Sequence, residues 1–156
     1  MPRNDAPERI LVLHGPNLNL FGRREPHIYG TMTLEQINER VRTLAAKVQV
    51  QLTIVQSNHE GVLVDTLQKH MDEAQGAILN PAGLTQHGVS LHDCIKAMPF
   101  PVIEVHLSNI AAREQWRHHS IISPAVRGTV QGLGWRSYTA ALRTLVEIVR
   151  EPKKQS

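Results

Sequence analysis

Five short apolar runs, rich in β-branched residues and separated by stretches of helical periodicity, constrain this chain more than any other feature. The runs cover 10–13 (ILVL), 51–55 (QLTIV), 76–79 (GAIL), 101–105 (PVIEV) and 128–131 (GTVQ). Their length and side-chain shape suit buried strands rather than helices. Between them, Leu34, Ile37, Val41, Leu44, Ala45 and Val48 fall on one helical stripe, opened by Thr33 and Gln36 at capping-box spacing. Ser57 and Glu60 repeat that spacing ahead of Leu63, Val64, Leu67 and Met71. A third helix is predicted over about 85–97, and a last one over about 138–150 with Ala141, Leu142, Leu145, Ile148 and Val149 on its apolar face. Strands alternating with helices build right-handed βαβ units on one parallel sheet. No repeat, low-complexity tract or linker interrupts the pattern. Residues 1–156 therefore read as one domain, with a core at about 9–150 and flexible ends at 1–8 and 151–156.

For five such strands the expected architecture is an α/β, flavodoxin-like, doubly wound parallel sheet of order 2-1-3-4-5. Ligands of these sheets bind beyond the carboxyl ends of the strands, where the order reverses. Strands 1, 3 and 4 would then be neighbours, and the turns after them would line one crevice. Those turns read Gly15-Pro16-Asn17, Asn80-Pro81 and His106-Leu107-Ser108-Asn109, dense in amide, hydroxyl and imidazole groups. The first connection runs from Gly15 to about Met32, well beyond the usual ~2–6 residues of a βα loop. It holds Arg23, Arg24, Glu25 and Tyr29, with Gly22, Pro26 and Gly30 as hinges or turns, and reads as a lid.

Charge excludes less than it first suggests. The chain carries a formal +3 and a pI near 9.4, but Arg150, Glu151, Lys153 and Lys154 contribute two of those three charges. A frayed basic tail explains that balance better than a nucleic-acid groove. The single cysteine, Cys94, cannot form a disulfide within the chain. The first residues lack an apolar signal-peptide region, and no apolar run nears the ~18 residues needed to span a bilayer. A cytoplasmic, membrane-free protein is expected.

The chemistry concentrates at a few positions. Glu104 and His106 are two apart on a strand and leave it on the same face, so the carboxylate can orient the imidazole and favour its cationic form. That prepares a general acid. Tyr29 shares its loop with Arg24, and Arg113 or Arg117 could arrive from the segment after strand 4. A free tyrosine titrates near pH 10, so proton abstraction near neutrality asks for roughly 4 kcal/mol of cationic stabilisation, within reach of guanidinium groups in a partly dry site. Other chemistries lack their motifs. The chain has no Gly-rich phosphate loop and no Gly-x-Ser-x-Gly elbow. His87 and His92 are five apart, off the spacing of a helical zinc pair, and His118 and His119 diverge, so no metal is expected. Cys94 sits on an apolar helix face, and Trp116 and Trp135 read as packing or interface residues.

Several of these segments together resemble the type II 3-dehydroquinate dehydratases. They are 13–20 (LHGPNLNL), 22–30 (GRREPHIYG), 56–61 (QSNHEG), 80–81 (NP), 103–109 (IEVHLSN) and 113–120 (REQWRHHS), in family order from about Ile10 to Val149. The resemblance implies a flavodoxin-like enzyme that needs no cofactor and assembles as a homo-oligomer, a dodecamer built from trimers. It implies anti elimination of water from 3-dehydroquinate, giving 3-dehydroshikimate through an enolate, in the shikimate route to chorismate or in quinate breakdown. By the same resemblance Tyr29, as tyrosinate, is the base and Arg24 stabilises its anion. Asn17 holds a water against the enolate oxygen, His106 is the acid and Glu104 orients it. Asn80 with Leu107 and Ser108 holds the substrate carboxylate or nearby hydroxyls, Arg117 binds another hydroxyl, and Asp93 closes the site near a subunit boundary. One departure stands out. The family usually reads Thr-His-x-Ser after the Asn-Pro turn, whereas this chain has Thr85-Gln86-His87-Gly88, which puts Gln86 at the substrate-binding histidine position. Glutamine still donates and accepts a hydrogen bond but carries no charge. His92 likewise stands where an arginine is usual. The alternative reading is a non-catalytic paralogue that binds a related cyclohexane carboxylate.

Overall fold

A computed structural model describes residues 6–154. Strands β1 (Arg9–His14), β2 (Gln51–Gln56), β3 (Gly76–Asn80), β4 (Val102–His106) and β5 (Gly128–Gln131) form one sheet of order β2-β1-β3-β4-β5, and every pairing is parallel. This is the expected flavodoxin-like arrangement. Helices α2 (Leu34–Val48) and α5 (Arg136–Arg150) cover one face of the sheet, and α3 (Glu60–Lys69) and α4 (Val89–Ala97) cover the other. A single-turn helix α1 (Pro26–Tyr29) lies in the long first connection.

The two-residue period of each strand divides the core. Ile10 and Val12 of β1, Ile78 of β3, and Ile103 and Val105 of β4 pack with Ile37, Val41 and Leu44 of α2 and with Leu142 and Leu145 of α5. Their strand neighbours Leu11, Leu13, Ala77, Leu79 and Val102 pack with Leu63 and Leu67 of α3 and with Leu91 and Ile95 of α4. A fully buried Leu or Ile contributes about 1.5–3 kcal/mol, so a register slip of one residue would lose both layers at once. The same parity assigns the polar residues at the strand ends. His14 and Asn80 continue the α2/α5 face, whereas Glu104 and His106 continue the α3/α4 face.

Helix α2 starts as its sequence predicts. The Gln36 N–H donates to Thr33 Oγ1 (3.2 Å), and the Thr33 N–H donates to Gln36 Oε1 (2.9 Å). Three expectations need correction. Ser57 and Glu60 do not form a capping box, because α3 begins at Glu60 itself and Ser57 Oγ accepts the His59 N–H (3.0 Å). Glu60 Oε1 instead accepts the Leu91 N–H of α4 (3.0 Å), a helix whose own cap residue, Gly88, has no side chain to do so. The helix predicted over 85–97 is split: Ala82–Gln86 is a 3-10 turn, His87 leaves helical geometry at φ −147°, and the α-helix runs only over Val89–Ala97. Finally, Arg150 is no frayed tail residue. Its guanidinium grips both Glu8 carboxylate oxygens (2.8 and 2.9 Å) and the Val48 carbonyl (2.7 Å), tying the start of β1 to the end of α5. The tails expected to be flexible include residues 1–5 and 155–156, which lie outside the described residues.

At the carboxyl edge of the sheet β1 and β3 end side by side, with His14 opposite Asn80 in register. The Gly15 N–H donates to the Asn80 carbonyl (2.8 Å), and a Cβ on Gly15 would sit 2.6 Å from the Pro81 oxygen. Only glycine lets the two turns come this close.

Candidate active site

The turns after β1, β3 and β4 converge on a cleft of about 430 Å³ at this edge. Asn17, Arg24 and Tyr29 reach it from the long connection, Asn80 and Gln86 from the turn after β3, and His106, Leu107, Ser108 and Arg117 from β4 and the segment beyond. Arg113, Trp116 and His87 complete its wall. The long connection is anchored over the cleft by Leu18 and Phe21, which are buried, and the Phe21 and Tyr29 rings meet with centroids 5.6 Å apart. Gly22 takes φ +90° in this connection, a conformation that residues with a Cβ rarely adopt.

Two cations approach the Tyr29 ring. The guanidinium carbon of Arg24 lies 5.0 Å from its ring centroid and that of Arg113 5.1 Å. Of the two arginines that could arrive after β4, the fold brings Arg113 to the tyrosine. Arg117 stacks on Trp116 at 4.1 Å and pairs with Glu114 at 2.6 Å, which holds that carboxyl below its ordinary range. Arg113 is nine-tenths buried, its nearest carboxylate oxygen is 4.0 Å away on Glu114, and its Nε has no hydrogen-bond partner among the described residues. Its guanidinium thus stands beside the ring with only a distant carboxylate, and its Nη1 donates to the Ser108 hydroxyl at 3.5 Å.

His106 and Glu104 meet as their spacing predicts, with His106 Nε2 against Glu104 Oε2. The second Glu104 oxygen accepts the Ser123 hydroxyl (2.9 Å). Glu104 is 1% exposed and does not line the cleft, so it acts on anything bound there only through the imidazole. Behind this pair lies a second polar cavity of about 210 Å³, walled in part by Thr85, Ser120 and Gln131. Ser123 is a partner that sequence reasoning missed; it opens a short 3-10 turn (Ser123–Ala125) 19 positions from Glu104, and no pattern marks it.

Asp93, unlike Glu104, neither lines the cleft nor touches a residue that does. It is exposed on α4 and pairs with His92 (2.9 Å). Gln86 does reach the cleft, where its amide nitrogen donates to the Arg117 carbonyl (3.1 Å) and leaves its oxygen available. His87 lines the cleft beside it. Burial raises the Cys94 thiol above its ordinary value, which suits a packed residue rather than a nucleophile. Among the described residues no group of three or more acidic, histidine or cysteine side chains could hold a metal ion, and no helix is long and apolar enough to cross a membrane.

The chain is similar to known proteins over most of its length. The family model described as dehydroquinase class II matches residues 8–146. A 3-dehydroquinate dehydratase of Herpetosiphon aurantiacus is 49% identical over 139 residues, covering 89% of this chain and 96% of the relative. One from Roseiflexus castenholzii is 51% identical over 138 residues, covering 88% of each. Among solved structures, the type II dehydroquinase from Propionibacterium acnes superposes with a TM-score of 0.87 at 37% identity, covering 91% of this chain and 98% of the other.

Proposed function

The chain belongs to the class II dehydroquinase family and is a hydro-lyase, a 3-dehydroquinate dehydratase of the shikimate pathway, and from that premise we propose how its cleft performs the reaction. Tyr29, as phenolate, removes a proton from C2 of 3-dehydroquinate, and the electron pair moves onto the C3 ketone oxygen as an enolate. Asn17 holds a water against that oxygen. The enolate then collapses, the C1–O bond breaks, and His106 gives its proton to the departing hydroxyl, which leaves as water. The new C1=C2 bond is conjugated with the ketone of 3-dehydroshikimate. Base and acid come from separate elements, the long connection and β4, as an anti elimination asks.

The observation that carries this reading is Tyr29 flanked by Arg24 and Arg113 in the same cleft as the Glu104-backed His106. Two guanidinium groups stabilise a phenolate, and a buried carboxylate balances an imidazolium. A paralogue that only bound a cyclohexane carboxylate would have no use for this matched pair. Asn80, Ser108 and the Leu107 backbone would hold the substrate carboxylate or adjacent hydroxyls, and Arg117 another hydroxyl. Gln86 would supply a neutral hydrogen bond where the family usually offers histidine. Asp93, exposed on α4, would close the cleft of an adjacent subunit in a cytoplasmic dodecamer built from trimers. No cofactor enters the scheme.

The test is to mix purified protein with 3-dehydroquinate and follow the conjugated enone absorbance. Product should form in the wild type. Tyr29→Phe should lose at least about 10³-fold in kcat, since the base is gone while the ring remains. Substantial activity in that variant would remove Tyr29 as the base.

A further inference from the structure

Beneath the cleft, on the α2/α5 face of the sheet, four polar side chains form one buried chain. His14 Nε2 lies 2.8 Å from Asn38 Oδ1, and His14 Nδ1 lies 2.9 Å from the Tyr138 hydroxyl. The same hydroxyl oxygen is 3.1 Å from Asn80 Nδ2, and Asn80 Oδ1 accepts the Ala82 N–H at 3.1 Å. His14 and Tyr138 are both 0% exposed, and of the four only Asn80 lines the cleft. The reaction scheme leaves His14, Asn38 and Tyr138 unused.

The proton positions along this chain follow from its one invariant member. The Ala82 backbone N–H can only donate, so the end of the Asn80 amide facing it is the carbonyl oxygen. Nδ2 therefore faces Tyr138, whose oxygen accepts from it. The phenolic proton is then directed at the remaining neighbour, His14 Nδ1, which must be the unprotonated ring nitrogen. Nε2 carries the imidazole proton and donates to Asn38 Oδ1. A proton added at Nδ1 would set two donors against each other. Burial guards against this, pushing His14 down to about 4 and raising the Tyr138 phenol above its ordinary range. Across neutral pH the chain has a single polarity.

We propose that His14 and Tyr138 are positioning residues for substrate binding: they hold the Asn80 amide in one orientation, so that its second N–H, never its carbonyl oxygen, faces the cleft. A donor at that point suits a carboxylate or hydroxyl oxygen, whereas a flipped amide would turn its negative end toward it. Asn80 gains this orientation from two directions, the turn that follows β3 and the α5 tyrosine beneath it. The proposal rests on the reading of Asn80 as a substrate contact.

Steady-state kinetics with 3-dehydroquinate, beside thermal melting of each variant, separates the possibilities. Tyr138→Phe keeps the ring but removes the hydroxyl; KM should rise about tenfold while kcat changes less than about threefold. His14→Leu should behave likewise. His14→Gln offers one donor and one acceptor and should bring KM back to within about threefold of wild type. If Tyr138→Phe does not fold, the double variant His14→Leu/Tyr138→Phe leaves no orphaned partner between those two positions and reads the same KM. A purely structural role would lower the melting temperature with KM unchanged, and that result overturns the proposal. Asn80→Ala is the control for its premise. If Asn80→Ala raises KM and Tyr138→Phe does not, the positioning role fails alone; if Asn80→Ala leaves KM unchanged, the substrate contact itself fails and the positioning role with it.

Discussion

Two buried histidines sit at the carboxyl edge of the same sheet in unlike surroundings. His106, at the end of β4, lies against the Glu104 carboxylate and opens onto the cleft. His14, at the end of β1, is sealed between a neutral asparagine and a phenol and is pushed down to about 4 by burial. A carboxylate partner orients the imidazole toward the cleft, which suits the proton donor proposed for it. Neutral partners in a dry core make the imidazolium costly, which a fixed hydrogen-bond direction requires. The comparison teaches that the residue type says little by itself; the charge of the partner and the access to water assign the role.

The contrast can be broken at either histidine. His106→Asn should cost the most, about 10³-fold in kcat with KM nearly kept, because an amide fills the space but cannot donate a proton to the leaving hydroxyl. The enone assay reads this directly, and a loss under tenfold would place the acid elsewhere. At His14 a second effect, separate from that on KM, falls on stability. Its folded value of about 4 lies below the ordinary 6.5, so the unfolded chain binds the proton more tightly. The associated stability is fully present above pH 6.5 and drains away as pH falls toward 4, by roughly 3 kcal/mol over that window. Urea unfolding midpoints at pH 7 and pH 4.5 should therefore differ more for wild type than for His14→Gln. Equal differences would show that other groups dominate acid unfolding. The smallest effect sharpens the comparison at Glu104. Ser123→Ala removes the hydroxyl bound to the carboxylate oxygen farther from His106 and should lower kcat by about two- to fivefold, under ~1 kcal/mol of barrier. A larger loss would make Ser123 more than a steadying contact.

Much of this is legible in the amino-acid sequence. The sheet order and the crevice at the ends of β1, β3 and β4 came from five apolar runs and the rule for doubly wound sheets. Glu104 and His106 were paired by the two-residue period of a strand. The capping box at Thr33 and Gln36 formed because all its atoms lie within one turn. The Ser57–Glu60 pattern, of identical spacing, failed because a neighbouring helix with glycine at its cap offered Glu60 a different donor. Arg113 and Arg117 could not be told apart as partners of Tyr29, since both follow β4 at loop positions with no fixed direction. The link from His14 to Tyr138 spans 124 residues and left no local mark. Neither did Ser123.

The amino-acid sequence by itself determined the strands, the helices, the faces they bury and the strand-end turns that meet, because pleat, helical pitch and the handedness of crossovers act over a few residues at a time. The tertiary structure alone decided which cation reaches Tyr29, which oxygen steadies Glu104 and which histidine stays neutral. Those choices depend on contacts closed by long loops and on how completely water is shut out, and neither quantity is written in any local stretch of the chain.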